Sequence, residues 1–251
     1  MDELVHYEVG GEYGDGVGTI TLDSPHNRNA LSRQLVTELF DRLRTAEEDG
    51  SRVVVIRSAD RVFCSGADLS EAAGGGMAEG TKALVEMQRL IVTHPKPVVT
   101  RLAGPVRAGG LGIVAASDVA ICQEDVTFAF TESRLGLAPA VISLTVLPRL
   151  TSRAAADTFL TGRTFDASEA TGMGLVTRAV PAADLDAAVM QVCADLMEAH
   201  PQGLRETKAL LARDIVARID EQADDMGTLS ARLFGSEGAR EAMTAFLNRK
   251  K

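Results

Sequence analysis

Phe63-Cys64-Ser65-Gly66-Ala67-Asp68-Leu69 and Gly104-Pro105-Val106-Arg107-Ala108-Gly109-Gly110-Leu111-Gly112 are the stretches on which the reading of this chain turns. Each follows a run that reads as a buried β-strand, Val53 to Ile56 and Val98 to Leu102, and each opens a segment that reads as helix. Small residues after a strand let the backbone approach a ligand closely, and the N–H groups of a helix start lack intrahelical partners. Two such donors meeting in space form an oxyanion hole, which stabilises negative charge on a thioester or ester oxygen. The pattern points to an enzyme.

Working outward, residues 4–9 and 17–22 read as a hairpin across Gly10-Gly11 and Gly14-Asp15-Gly16. Ser32 is placed to cap a helix from 33 to about 48, with Leu35, Leu39, Leu43 and Ala46 on one face. Strands are expected at 52–57, 98–102, 118–123, around 126–130 and at 175–180, and helices at 81–93, 109–117, 152–161 and 166–173. The glycine cluster Gly74-Gly75-Gly76 reads as a mobile flap. No Lys-Ser/Thr follows it, so it is not a phosphate loop. After Pro181 the pattern is helical to the end, over 183–199, 203–223 and 225–247. This shift divides the chain into a core of residues 1–185 and a helical region of 186–251, whose apolar faces need something to pack on.

Composition limits the function classes. A length of 251 residues suits one large domain or a domain with a small appendage. The formal net charge of −9 argues against a nucleic-acid groove. No apolar run is long enough for a membrane span. The three cysteines, Cys64, Cys122 and Cys193, show neither zinc spacing nor a CxxC pair, which fits a reducing compartment and a cytoplasmic protein. Cys64 reads as a small buried hydrophobe or, being beside the proposed site, as a nucleophile. His6, His26, His94 and His200 have neither metal nor triad spacing, so no metal is expected, and the absence of a Gly-x-Ser-x-Gly elbow disfavours a serine hydrolase.

With these residues in hand, the chain resembles the enoyl-CoA hydratase/isomerase (crotonase) superfamily over nearly its whole length. The resemblance is carried by Pro25 with Asn29-Ala30-Leu31, by the two opening stretches through Asp118, and by Phe128…Glu132…Leu135-Gly136. Leu160-Thr161-Gly162, Ala167…Ala170…Gly174-Leu175-Val176 and Glu237-Gly238…Ala245-Phe246 extend it in the same order. It implies an α/β fold, a crotonase-like spiral of ββα repeats with a C-terminal helical trimerisation region. It also implies a homotrimer or hexamer (a dimer of trimers) and an acyl-CoA thioester substrate. No separate cofactor is implied, because coenzyme A is part of the substrate.

Carried over residue by residue, the resemblance makes the backbone N–H groups of Ala67 and Gly109 the oxyanion hole. Arg28, Ala30, Ser65, Asp68, Leu69, Gly110, Pro139 and Phe246 fall where the family binds the CoA moiety and the acyl chain. Arg249 or Lys250 reads as a contact to the CoA phosphates of a neighbouring subunit, or as a solvated basic tail. Well-studied hydratases of the family use two glutamates to hold water. This chain has Gly112 at the first position and Glu132 at the second. Around Glu132, Phe128, Phe130, Leu135 and Leu137 are expected to raise the carboxyl pKa towards neutrality. The competing picture is an exposed loop glutamate, or one paired with Arg134. Arg107 is unusual beside the oxyanion turn, and binding a distal substrate carboxylate, holding Glu132 ionised, contacting a CoA phosphate or facing solvent are all open to it.

One carboxylate suffices to deprotonate water as it attacks Cβ and to return a proton to Cα on the same face. It also suffices to shuttle a proton from Cα to Cγ. The expected activity is therefore enoyl-CoA hydration, with a role in fatty-acid, branched-chain or sterol side-chain breakdown. The run from Glu132 to Ser143 looks like a branch that includes methylglutaconyl-CoA-type hydratases. Isomerase, thioester hydrolase and decarboxylase are the alternatives on the same enolate scaffold, and an acyl-CoA-binding protein that has lost catalysis is the alternative outside enzymology. A glutamate introduced at position 112 is expected to leave activity towards crotonyl-CoA flat or modestly higher.

Overall fold

Val53 to Ile56 is apolar without alternation because the strand it forms is covered on both faces, as parallel strands inside an α/β fold are. The computed structural model describes residues 2–72 and 77–248; Gly74–Gly76, where a flap is expected, lies outside them, as do Arg249 and Lys250. Strands β1 (Val5–Val9) and β2 (Val17–Leu22) form the expected antiparallel hairpin. Helix α1 (Arg33–Glu48) follows, with the Ser32 hydroxyl accepting from the Leu35 N–H at 3.3 Å, and buries Leu35, Leu39, Leu43 and Ala46. Then come β3 (Val53–Ser58), α2 (Leu69–Ala72), α3 (Met77–Thr93), β4 (Val98–Leu102), β5 (Val106–Arg107), α4 (Gly110–Ala116), β6 (Val119–Gln123) and β7 (Thr127–Ala129). The chain continues through α5 (Ser143–Val146), α6 (Ser152–Thr161), β8 (Phe165–Asp166), α7 (Ala167–Met173), β9 (Arg178–Val180), α8 (Leu185–Glu198), α9 (Pro201–Phe234) and α10 (Glu237–Asn248).

The long strands form one sheet in the order β1-β2-β3-β4-β6-β9, parallel throughout except for β1–β2. The short strands form a second layer, β5-β7-β8, extended by single parallel bridges at Cys64–Val106 and Leu31–Ala67. Successive turns of the chain thus give a long strand to the first sheet, a short strand or bridge to the second, and then a helix. This is the expected spiral of ββα turns. The bridges matter for function, because they bring the loops after β3 and β4 side by side.

Each face of the large sheet has its own cover. Val54 and Ile56 point into the main core with α1, α3 and α4, whereas Val53 and Val55 meet Leu185, Val189, Val192 and Cys193 of α8. The boundary expected at 185/186 thus falls at the start of a helix that packs on the sheet. Where the sequence suggests helices over 203–223 and 225–247, the structure moves the break: α9 runs through Asp224 and Asp225 to Phe234, and α10 follows from Glu237. Helix α9 packs along α3 and against α5, and Ile215 and Ile219 join the main core. The Lys208 ammonium fastens it to the sheet through Asp118 Oδ2 at 2.8 Å and the carbonyls of Ile91 and Lys96, each at 3.0 Å.

Candidate active site

The turn after β3 and the turn after β4 touch. Gly66 has φ +97°, and a Cβ there would lie 2.8 Å from the Ala108 Cβ and 3.6 Å from the Gly109 nitrogen. A Cβ on Gly109 would lie 3.8 Å from the Ala67 nitrogen and 2.8 Å from Leu31 Cδ1. Glycine is required at Gly66 by its left-handed backbone, whereas a Cβ at Gly109 would need only the end of the Leu31 side chain to shift. Neither the Ala67 N–H nor the Gly109 N–H donates to another backbone group among the described residues. Ala67 and Gly109 both line a cavity of about 800 Å³. Two neighbouring amides without internal partners, opening on one cavity, can receive a developing oxyanion.

Lining the same cavity, Glu132 begins the 3-10 turn Glu132–Leu135. The turn rests on Phe130, fully buried and packed against the rings of Phe159 and Phe165. Glu132 Oε2 is shut off from solvent without a hydrogen-bond partner. Burial pushes its carboxyl up to about 7, only partly offset by its own backbone N–H. Arg134 does not neutralise it: its side chain is exposed and donates from Nε to the Thr161 carbonyl at 2.9 Å. Arg107 donates to the carbonyls of Val106 and Thr127 and to the Thr127 hydroxyl, and forms no ion pair with Glu132. It therefore ties β5 to β7 while lining the cavity, and it does not hold Glu132 ionised.

The position of the family's first glutamate is closed. Gly112 is buried, and a Cβ there would lie 3.0 Å from Ile142 Cγ2 and 3.2 Å from Gln88 Cδ. Gln88 is itself fixed, donating to the carbonyls of Leu84 and Val141 and accepting from the Thr145 hydroxyl at 2.6 Å. To admit even the Cβ of a glutamate at 112, Ile142 and Gln88 must give by a few tenths of an ångström, which weighs against the expectation of unchanged or higher activity.

The remaining predicted residues divide into three groups. Arg28, Ala30, Ser65, Asp68 and Pro139 line the same cavity. Arg28, at φ 60°, accepts the Ser65 N–H at its carbonyl, while its side chain is exposed. Asp68 caps the turn into α2, accepting from the Ser70 hydroxyl, from the Ser70 and Glu71 N–H groups and from Asn27 Nδ2. These bonds hold its carboxyl below the ordinary value against the opposing effect of partial burial. Gly110 instead faces the core, where a Cβ would lie 2.6 Å from that of Cys64, so its place in substrate binding is corrected to a packing role. Cys64 is buried, and burial pushes its thiol up to about 12, which removes the nucleophile reading. Leu69 starts α2 and Phe246 belongs to α10, but their side chains, like Lys250, lie outside the described residues.

Sequence reasoning missed two features. Asn29, buried at φ 52°, bonds Ser24 and Val62 and locks the loop that presents Arg28 and Ala30; two asparagines around Arg28 were the available signal for left-handed backbone. Thr81, Leu84, Ser230 and Phe234 complete the far wall of the cavity from α3 and α9, at distances in sequence that no local motif spans. Among the described residues no three His, Cys, Asp or Glu side chains gather as a metal-binding group, and no helix is long and apolar enough to cross a membrane.

Comparison with known proteins gives the same family from several directions. The enoyl-CoA hydratase/isomerase family model matches residues 12–251. The crystal structure of an enoyl-CoA hydratase from Mycobacterium avium superposes with a TM-score of 0.91 at 44% identity, covering 99% of this chain and 98% of that one. That of an enoyl-CoA hydratase from Mycobacterium smegmatis gives 0.80 at 28% identity, covering 99% and 97%. A hydroxycinnamoyl-CoA hydratase-lyase of Pseudomonas fluorescens is 31% identical over 261 aligned positions, which span 95% of this chain and 91% of that protein.

Proposed function

The chain belongs to the enoyl-CoA hydratase/isomerase family, and from that premise we propose that it adds water across the 2,3 double bond of an enoyl-CoA thioester, with Glu132 as its one acid/base. The observation that carries this reading is a buried carboxyl group, pushed up to about 7 with its Oε2 unpartnered, lining a cavity that two uncommitted amides also line. The thioester oxygen accepts from the Ala67 and Gly109 N–H groups. Glu132 takes a proton from water as the water oxygen bonds to Cβ. The π electrons move through Cα to the thioester oxygen, and the two amides hold the resulting enolate. Glu132 then returns its proton to Cα, so hydroxyl and hydrogen arrive from one face and the enzyme is regenerated. Coenzyme A enters with the substrate, and no further cofactor is needed. The working form is a trimer or a dimer of trimers in the cytoplasm.

The closed space at Gly112 supports a second reading. With one carboxylate and no partner to hold water, the same groups could move a proton from Cα to Cγ of a 3-enoyl-CoA. Absorbance at the conjugated enoyl-thioester band separates the two. Hydration of crotonyl-CoA and longer 2-enoyl-CoAs removes the band, whereas isomerisation of 3-enoyl-CoAs creates it. Loss of the band with 2-enoyl substrates supports hydration, and its appearance from 3-enoyl substrates alone contradicts it.

A further inference from the structure

The turn that presents Glu132 is gripped from two sides by backbone. On one side lies α10: at Gly136, where φ is +70°, a Cβ would come within 3.0 Å of the Ala239 nitrogen and of the Gly238 carbonyl group. On the other side lies the end of α6: at Gly162, φ +59°, a Cβ would lie 2.9 Å from Arg134 Cγ, 3.0 Å from Ser133 Oγ and 3.1 Å from the Phe130 carbonyl. Both glycines end their elements in left-handed backbone, Gly136 donating to the Glu132 carbonyl and Gly162 to that of Thr158. The Leu137 N–H also donates to the Glu132 carbonyl, at 2.9 Å. Ala239 is buried at the contact, and its N–H is held by Ser236 Oγ at 3.2 Å.

We infer that Gly136 and Gly162 are positioning residues: by letting α10 and the end of α6 press directly on the turn, they fix where the Glu132 carboxyl group enters the cavity. This gives α10 a task inside its own subunit, since it braces the turn that carries the proton chemistry. The inference rests on the reading of Glu132 as the proton carrier. Charged groups on the bracing elements are engaged elsewhere or exposed. Arg134 bonds the Thr161 carbonyl, Arg240 the Gly235 carbonyl, and Arg163 pairs with Asp157 and Glu169, while Glu237 and Glu241 are exposed. Position, and not a nearby charge, is what the glycines control.

The test compares Gly136→Ala, Gly136→Asn and Gly162→Asn with Gly10→Ala, a positive-φ glycine in the β1–β2 hairpin whose Cβ would meet only the Asp15 Cα, at 3.9 Å. Asparagine tolerates left-handed backbone but still carries a Cβ, so it isolates close approach from strain and keeps the test alive if the alanine variant does not fold. A misplacement of about 1 Å costs up to about 10²-fold in rate, so kcat is expected to fall about 10- to 100-fold in the three turn variants with KM nearly unchanged. Titration of the Glu132 carboxyl followed by ¹³C NMR, without substrate, should move towards the ordinary carboxylate value as the displaced group gains water. Gly10→Ala should change neither. Folded Gly136→Asn and Gly162→Asn with wild-type kcat and an unmoved titration overturn the inference. A wild type whose Glu132 titrates near 7 but which converts no enoyl-CoA overturns the functional reading instead.

Discussion

Burial of Oε2 without a donor pushes the Glu132 carboxyl up to about 7, so near neutral pH the group is divided between acid and base. That division suits a residue that must first accept a proton and then return it. In the free enzyme kcat/KM should rise with pH through about 7, as the basic form becomes available, and Glu132→Gln should remove this limb. The same shift bears on stability. Below about 4.5 the carboxyl is neutral whether the chain is folded or not. Between there and 7 the unfolded chain releases a proton that the folded chain keeps, so folding stability falls as pH rises through this window. Glu132→Gln should therefore unfold like wild type at pH 4 and be more stable at pH 8, by on the order of 3 kcal/mol. Equal stability at both values would mean that Glu132 ionises normally. At this scale the sequence was informative where an apolar setting surrounds one carboxylate, as with Phe128, Phe130, Leu135 and Leu137. It was uninformative for Arg107 and Gly110, whose roles depend on Thr127 and Cys64 across the second sheet layer.

Elements bounded by proline, glycine or a capping hydroxyl were legible: the 98–102 strand follows Pro97, and the first long helix follows Ser32. The helix after His200 was not. Asp224, Asp225 and Gly227 are local break signals, yet α9 continues through them because α3 packs along it. Tertiary burial outweighs propensity differences of about 1 kcal/mol or less per residue. The short strands β5 and β8, two residues each, are defined by pairing with β7 and, for β5, by the bridge to Cys64, and carry no periodicity to read. The attachment of α9 can be tested directly. Lys208→Met leaves Asp118 and two carbonyls without their buried ammonium, and breaking a buried pair from one side costs about 3–5 kcal/mol. Urea unfolding should show a loss in that range, and a loss under about 1 kcal/mol would mean that α9 is held by its apolar contacts alone.

Across the whole molecule, the spiral places three loops, the Glu132 turn and two distant helices around one cavity, so the site cannot form from any short contiguous piece of the chain. Leu210 and Leu211 are 63% and 75% exposed on α9, an apolar edge that subunit association would cover. Sedimentation should give three or six times 26.6 kDa, and a monomer at micromolar concentration would contradict the proposed assembly. The central claim, that one carboxylate and two backbone amides hydrate an enoyl thioester, is tested most directly by following the enoyl band with wild type and Glu132→Gln. The variant keeps the shape of the side chain but cannot accept a proton, and a positioned general acid/base contributes about 10²–10⁴-fold. Wild type should consume the band, and Glu132→Gln should be slower by at least about 10²-fold with its affinity for acyl-CoA nearly unchanged. Near-normal hydration by Glu132→Gln would contradict the account.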